Sequence, residues 1–372
     1  MRILILSWRG PNHPHAGGAE KSTHEHAKGW VMAGHHVTLF TSSFQGAKTE
    51  EAVDGVNIIR RGSQIFGVHW QAFKWYVFGN HPKYDLVIDQ FHGIPFFTPL
   101  FIRQKKLAFI HEVSKEVWSL NPWPRPLNLI PAIIGTIFEP LLFQLLYKNV
   151  PFMTVSSSTK NDLIDWGIPK KNITVIHNGL NQHPLKKIPI KEKKKTLIFL
   201  GALAKDKGIE EVLKIFSLIN TKNSEFQFWV VGKGEAKYTK YLKLKSKALG
   251  LERQIKFWGF VSEEKKYQLL AKSYLLINPS IREGWGFVVM EAASVGTPTV
   301  GYNTPGLRDS IVDGKTGLLC IPNPIECVEI TLLLIENEEK YQDLRLNCFR
   351  RSKEFKWKKS VEKSLRLINK II

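Results

Sequence analysis

The chain predicts an α/β protein built from two doubly wound parallel-sheet domains. Three observations lead there. Short apolar strand patterns alternate with helix patterns from residue 3 to residue 176, and the same rhythm starts afresh at residue 196. A lysine-rich bridge separates the two series. At 372 residues, the chain is also longer than one ordinary core accommodates.

Ile3–Leu6 is a short aliphatic run and reads as the first strand. It passes straight into Ser7-Trp8-Arg9 without a small-residue cleavage site, so it is not read as a secretory leader. Ala19–Ala33 reads as a helix, and Val37–Thr41 as a second strand after Gly34. Further strands are predicted at Val56–Arg60, Asp85–Asp89, Ala108–Ile110, Phe152–Ser156 and Ile173–Ile176. The pattern breaks at Asn178-Gly179, and Lys186–Lys195 is too charged to be core. Thr196–Leu200 opens the second series. Strands at Phe226–Val231, Ile255–Trp258, Leu275–Ile277, Thr299-Val300 and Gly317–Cys320 continue it. Helices are predicted at Ile209–Asn220, Tyr238–Leu249, Val288–Val295 and Pro324–Glu336.

Two apolar segments raise the question of a membrane. Leu129–Tyr147 holds one charged residue, Glu139, in 19 positions and approaches spanning length. Pro131 and Pro140 interrupt it, and a strand pattern resumes at Phe152. A spanning helix would split one α/β domain across a bilayer, so a buried helix is the expectation, ahead of a membrane-facing one. Ile65–Phe78, with Trp70, Phe73, Trp75, Tyr76 and Phe78 beside His69 and Lys74, is the stronger interfacial candidate, balanced against core packing.

The composition is 43% hydrophobic with 11% aromatics, which excludes wholesale disorder. The formal net charge is +20, and residues 1–185 carry 18 Lys and Arg against 12 Asp and Glu, so most of the excess lies beyond them. Such a field attracts polyanions, either nucleic acid or anionic lipid. No nucleic-acid-binding signature supports the former, and a solvated basic surface accounts for the charge equally well. Cys320, Cys327 and Cys348 lack metal-ligand spacing and fit small core residues in a reducing compartment.

The chemistry gathers at strand exits. After the first strand, Gly17-Gly18-Ala19-Glu20 lets the backbone approach a ligand, with N–H groups of the next helix available to an anion. It is neither a dinucleotide fingerprint nor a P-loop. His111 follows the strand ending at Ile110 and is positioned to meet a sugar hydroxyl or a developing charge. His24 and His26, two apart on a helix, do not share a face, which argues against a metal site. In the second series, Gly201-Ala202-Leu203-Ala204-Lys205-Asp206-Lys207-Gly208 offers Lys207 to diphosphate oxygens. Gly232-Lys233-Gly234 and the loop carrying Phe260 and Val261 suit a nucleotide wall. The densest signal is Glu283-Gly284-Trp285-Gly286-Phe287-Val288-Val289-Met290-Glu291. It sets two carboxylates eight positions apart across a glycine-rich turn and the start of a helix. Glu283 belongs beside a sugar. Glu291, flanked by apolar side chains on its helix, suits two ribose hydroxyls and needs a partner to offset its desolvation.

This constellation closely resembles the retaining glycosyltransferases of family 4, which have the GT-B fold of two Rossmann-like domains facing a central cleft. The matching residues are Glu283 and Glu291, Gly17-Gly18-Ala19-Glu20, His111, Asn178-Gly179, Lys207-Gly208, Pro279-Ser280 and Asp313-Gly314-Lys315-Thr316-Gly317, across nearly the whole chain. The resemblance implies an N-terminal acceptor-side domain, 1–183, a basic linker, 184–195, and a nucleotide-sugar-binding domain, 196–354. A closing helix at about 355–372 is expected to pack back on the first domain. It implies metal-independent sugar transfer with anomeric retention, from a UDP-sugar or GDP-sugar as co-substrate and with no cofactor. His111, Lys207 and Glu283 are the implied catalytic residues. Gly17, Gly18, Lys205, Phe260, Val261, Gly284, Trp285, Gly286, Phe287 and Glu291 are the implied donor-binding residues. The acceptor is expected to be a glycan or lipid-linked hydroxyl in surface polysaccharide or glycolipid synthesis, with the enzyme cytoplasmic and peripheral at the inner face of the membrane. One departure stands out. Members usually carry Arg where this chain has Ala202, with Lys205 as a replacement. The alternative is a membrane-associated carbohydrate-binding pseudoenzyme with little transferase activity.

Overall fold

Two largely parallel sheets organise the chain, and their central strands are so apolar that both faces must be covered. The computed structural model describes residues 1–64, 66–91, 93–120, 126–181, 189–192 and 194–372. Residues 184–188 and 193 of the expected linker lie outside them, as does Ile65. The chain divides into two compact units, Met1–Gly179 with Lys356–Ile372, and Leu180–Phe355.

Unit 1 holds strands β1 (Arg2–Ser7), β2 (His36–Thr41), β3 (Glu50–Val53), β4 (Val56–Arg60), β5 (Leu86–Phe91), β6 (Lys105–Ile110), β7 (Phe152–Thr154) and β8 (Ile173–Val175). They pair in the order β3-β4-β2-β1-β5-β6-β7-β8, parallel everywhere except between β3 and β4. That antiparallel edge adds a hairpin to the expected parallel sheet. β3 is short and polar, and Asp54-Gly55, both at positive φ (51° and 80°), turns it back on β4. Asp-Gly between paired residues Val53 and Val56 is a strong hairpin signal that a search for buried strands passes over.

Helices α1 (Gly18–Met32), α2 (Phe66–Phe78), α3 (Thr98–Phe101), α4 (Leu129–Leu142) and α5 (Ser157–Asp165) cover the sheet. Leu4, Leu6 and Val87 pack under Val68, Ala72 and Trp75 of α2. On the same sheet face, Phe91, Ala108 and Ile110 pack with Phe143 and Tyr147, which lie on a π-helical turn continuing α4. Most of α4 itself is exposed, contrary to the buried helix expected at Leu129–Tyr147; Ile133, Ile134, Ile137 and Phe138 are each at least half exposed. Its covered side is narrow, formed by Gly135 and Glu139, with Glu139 accepting from Ser114 N (3.1 Å) and Trp118 Nε1 (2.8 Å).

Unit 2 contains β9 (Thr196–Leu200), β10 (Gln227–Val231), β11 (Ile255–Gly259), β12 (Leu275–Asn278), β13 (Thr299–Tyr302) and β14 (Gly317–Cys320). Their order is β11-β10-β9-β12-β13-β14, all parallel, so the direction of winding reverses between β9 and β12. Alternate residues of β9 serve opposite layers. Leu197 and Phe199 face the cluster containing Ile209, Val212 and Phe216 of α6 (Ile209–Lys222), and Ile198 and Leu200 face Leu270 and Val289. α7 (Ala236–Ala248), α8 (Glu263–Lys272), α9 (Phe287–Ala293), α10 (Leu307–Ser310), α11 (Pro324–Glu336) and α12 (Glu338–Ser352) complete this unit. All three cysteines are buried in it as free thiols. The last helix, α13 (Trp357–Ile371), belongs to unit 1 and packs on α1, where Ser364 Oγ meets Trp30 Nε1 (2.9 Å) and His26 Nδ1 (3.0 Å).

Candidate active site

In an open parallel sheet, the crevice beyond the strand C-termini is deepest where the winding reverses, because neighbouring loops diverge there. In unit 2 that point lies between β9 and β12. The loop after β9 forms a 3₁₀ turn, Lys205–Lys207, and the loop after β12 carries Pro279–Gly286. The two connections part to opposite faces of the sheet, but their bases are joined: Ile281 N donates to Asp206 O at 2.9 Å. Gly208 sits at φ 70°, where an added Cβ would lie 2.2 Å from the Pro279 carbonyl oxygen, so the turn admits only glycine.

The charges converge on this junction. Lys207 Nζ stands 3.1 Å from Glu283 Oε2 and 3.5 Å from Asp206 Oδ2. Ser280 Oγ donates to Glu283 Oε1 at 2.9 Å, and Glu283 N donates to Pro305 O at 3.0 Å. Both ends of Glu283 are therefore held. Gly306, at φ 81°, lets the next loop approach, since a Cβ there would lie 1.9 Å from Glu283 O. An ammonium and a carboxylate fixed side by side at a strand exit can divide between a phosphate and a sugar hydroxyl.

Glu291 lies on α9 and is buried. The partner its desolvation calls for is Lys266 of α8, whose Nζ lies 2.8 Å from Glu291 Oε1 and 2.7 Å from Glu263 Oε1. Burial alone would lower the Lys266 ammonium, but Glu291 and Glu263 outweigh it and its pKa is raised. Lys266 escapes sequence reasoning because Glu263-Glu264-Lys265-Lys266 reads as an ordinary exposed, charged helix start. Ser280 was legible as part of the Pro279-Ser280 match, but its grip on Glu283 was not.

The remaining predicted donor residues of unit 2 divide. Trp285 is buried with its ring 5.2 Å from that of Phe355, so its side chain anchors the loop. Gly286, at φ 69°, is the N-cap of α9, and Phe287 is its first residue. Gly284 and Phe287 are half-buried. Phe260 is 76% exposed just past β11, with Lys233 Nζ 5.0 Å from its ring centroid, while Val261 packs partly into the core. Ala202 and Lys205 are exposed. Leu203 N donates to Lys233 O at 2.9 Å, so the loop with the unusual Ala202 adjoins a second lysine-bearing loop.

In unit 1, Gly17 caps α1, and Gly18 is its first residue. The Gly17 N–H donates to Glu20 Oε2 at 2.6 Å, while Glu20 Oε1 receives Arg9 Nε at 2.9 Å. Glu20 thus braces the glycine turn from inside. His111 is buried immediately beyond β6, its carbonyl accepting from Thr159 Oγ1 at 3.0 Å and its ring 4.4 Å from that of Phe109. Asn178 accepts from Ser22 Oγ at 2.6 Å in the core, and Asp313 Oδ1 accepts from Leu319 N at 2.9 Å. Each bond lies within its own unit, the first joining two side chains and the second holding a backbone N–H.

Comparison with known proteins agrees with this layout. The Glycosyl transferases group 1 family matches residues 183–351, and Glycosyltransferase Family 4 matches residues 16–183. An uncharacterised glycosyltransferase of Methanocaldococcus jannaschii is 24% identical over 358 residues, covering 87% of this chain and 86% of the relative. Sucrose-phosphate synthase of Thermosynechococcus elongatus has a similar structure, with TM-score 0.82 at 17% identity over 100% of this chain and 98% of that one. HepE of Anabaena, solved with UDP-glucose, gives TM-score 0.73 at 18% identity over the full length of both chains. With one family matched across each half, and a two-sheet fold shared with GT-B enzymes, the chain belongs to the group 1, family 4-type glycosyltransferases.

Proposed function

We propose that this protein is a retaining glycosyltransferase that moves a sugar from a nucleoside-diphosphate sugar to a hydroxyl of a glycan or lipid-linked acceptor. The setting we assign is surface polysaccharide or glycolipid synthesis, with the enzyme cytoplasmic and peripheral at the inner membrane face. The observation that carries this reading is the Lys207–Glu283–Ser280 cluster at the reversal point of unit 2. The binding of UDP-glucose by HepE supports a UDP-sugar as the first donor to test.

The Lys207 ammonium faces the diphosphate, and Glu283 accepts hydrogen bonds from the donor sugar. Before the donor arrives, each neutralises the other. Backbone N–H groups of Gly284–Phe287 and the Lys205 side chain add to the phosphate site, Lys205 supplying the cation that Ala202 lacks. Phe260 and Val261 wall the base, and Glu291, oriented by Lys266, takes the ribose hydroxyls. Gly17 and Gly18 are assigned to the donor phosphates through their backbone N–H groups, and His111 to contact with the sugar. In the reaction, the acceptor oxygen bonds to the anomeric carbon on the face that the diphosphate leaves. The C–O bond to phosphate breaks, and the acceptor proton passes to a departing phosphate oxygen. Neither a metal ion nor a cofactor takes part in this scheme.

Lys207→Ala and Glu283→Ala should each lower turnover roughly a hundredfold or more, the usual effect of removing one preorganised charge stabiliser. A thermal-shift screen of UDP- and GDP-sugars, followed by product analysis with the shifting donor, provides the assay. The exposed Ala202 favours a second reading, a carbohydrate-binding pseudoenzyme. Donor binding with neither transfer nor donor hydrolysis across a broad acceptor panel would select it.

A further inference from the structure

Leu129–Tyr147 is the one helical stretch among the described residues that is long and apolar enough to cross a bilayer, yet the fold forbids crossing. Its C-terminal turn is rooted in the core of unit 1, with Phe143 and Tyr147 fully buried and Tyr147 OH donating to Asp89 Oδ2 at 2.5 Å. The chain then enters β7 of the same sheet. The rest of the helix lies along the outside, exposing Ile130, Ile133, Ile134, Ile137, Phe138 and Leu145. Its single acid, Glu139, is turned inward and held by Ser114 and Trp118. Thr136 and Gln144 are its only exposed polar side chains.

We propose that α4 and its continuation lie in the surface of an anionic lipid bilayer and dock unit 1 on it. This deepens the reading above, on which it rests for its purpose, by naming the surface that meets a lipid-linked acceptor. Three observations select lipid as the occupant. The face offers almost no hydrogen-bonding groups, whereas protein interfaces carry about one hydrogen bond per 100–200 Å². Its C-terminal end runs into exposed Lys148, and Asn172 Nδ2 donates to the Lys148 carbonyl at 3.0 Å, bringing exposed Lys170 and Lys171 beside it. Cations bordering an apolar strip complement anionic headgroups, whereas a second copy would bring the same +20 charge against them.

A second apolar surface extends the first. α2 packs on the same sheet face as the α4 continuation, because the paired residues Leu6 and Asp89, and Asp89 and Ala108, share that face. Outward, α2 shows Phe66, Trp70 and Phe78, and α3 shows Leu100, all more than half exposed. Lys74 lies on the same outer stripe of α2, one turn from Trp70. Aromatic rings beside a lysine suit the headgroup boundary.

The test is sedimentation of the whole protein with vesicles of phosphatidylcholine alone or with one-third phosphatidylglycerol. Wild-type protein should partition onto the mixed vesicles. Ile133→Asp with Ile137→Asp should lower that partition at least tenfold with an unchanged thermal midpoint, because both side chains are exposed in the folded chain. Lys148→Ala with Lys170→Ala and Lys171→Ala should abolish the gain that phosphatidylglycerol brings. Wild-type protein left in the supernatant, or an Asp pair that sediments like wild type, overturns the proposal. So does a lipid-free dimer that the Asp pair converts to monomer, which would assign the face to self-association. Partition is read without turnover, so a protein that docks but transfers no sugar defeats only the enzymatic reading.

Discussion

At the level of single residues, the chemistry we propose rests on charges that are already paired within unit 2. Lys207 with Glu283, and Lys266 with Glu291, are two cation–carboxylate pairs near the reversal point of one sheet. In each, the carboxylate belongs to the matched double-glutamate pattern. Their cations were not equally visible: Lys207 sits in a glycine turn after a strand, a recognisable setting, while Lys266 lies within a charged helix. Removing Lys266 leaves a buried carboxylate without its cation, an expensive change. Lys266→Met should therefore raise the donor KM about tenfold or more and lower the thermal midpoint. Lys266→Arg should recover most of both, and a Met variant with wild-type donor KM would separate Lys266 from the donor site.

Elements set the precision of these pairs. The loops after β9, β12 and β13 are pressed together closely enough that glycine is obligatory at two contacts, Gly208 against Pro279 and Gly306 against Glu283. Gly306→Ala places a Cβ in a left-handed backbone position and against the Glu283 carbonyl. It should cost about 3 kcal/mol of stability by denaturant unfolding and displace the Glu283 carboxylate, lowering turnover as well. Helix α4 teaches a different lesson. An apolar stretch broken by two prolines reads as a core helix, since a helix apolar on all sides ordinarily has neighbours on all sides. Which sides are covered is decided by surrounding elements, and here only the Gly135–Glu139 side is.

For the whole molecule, the chain's return to unit 1 through α13 makes the last residues part of the first sheet's cover. His26 lies at the centre of that contact, fully buried between Ser364, Trp30, Phe109 and Trp357. Burial holds its pKa down at about 4, against an ordinary 6.5. A depressed histidine contributes fully above its unfolded pKa, and that stability is lost as pH falls from 6.5 toward 4. Between pH 7 and pH 5 the loss from this one group should be roughly 2 kcal/mol. Urea unfolding of His26→Asn at both pH values should show a weaker protein at pH 7 but a shallower decline; an unchanged decline would assign the acid sensitivity elsewhere.

Much of this was written in local composition. Strands buried on both faces must be apolar at successive positions, so β1, β5, β9 and β12 announced themselves, and the charged bridge announced the change of series. Glu283, Glu291, Lys207 and the glycine turns stood out because their chemistry is concentrated in short segments. Strand order, the cation opposite Glu291 and the bare side of α4 come from residues far apart in the chain. Such partners meet only when the sheets close, because burial and ion pairing depend on what packs alongside a residue rather than on its neighbours in sequence.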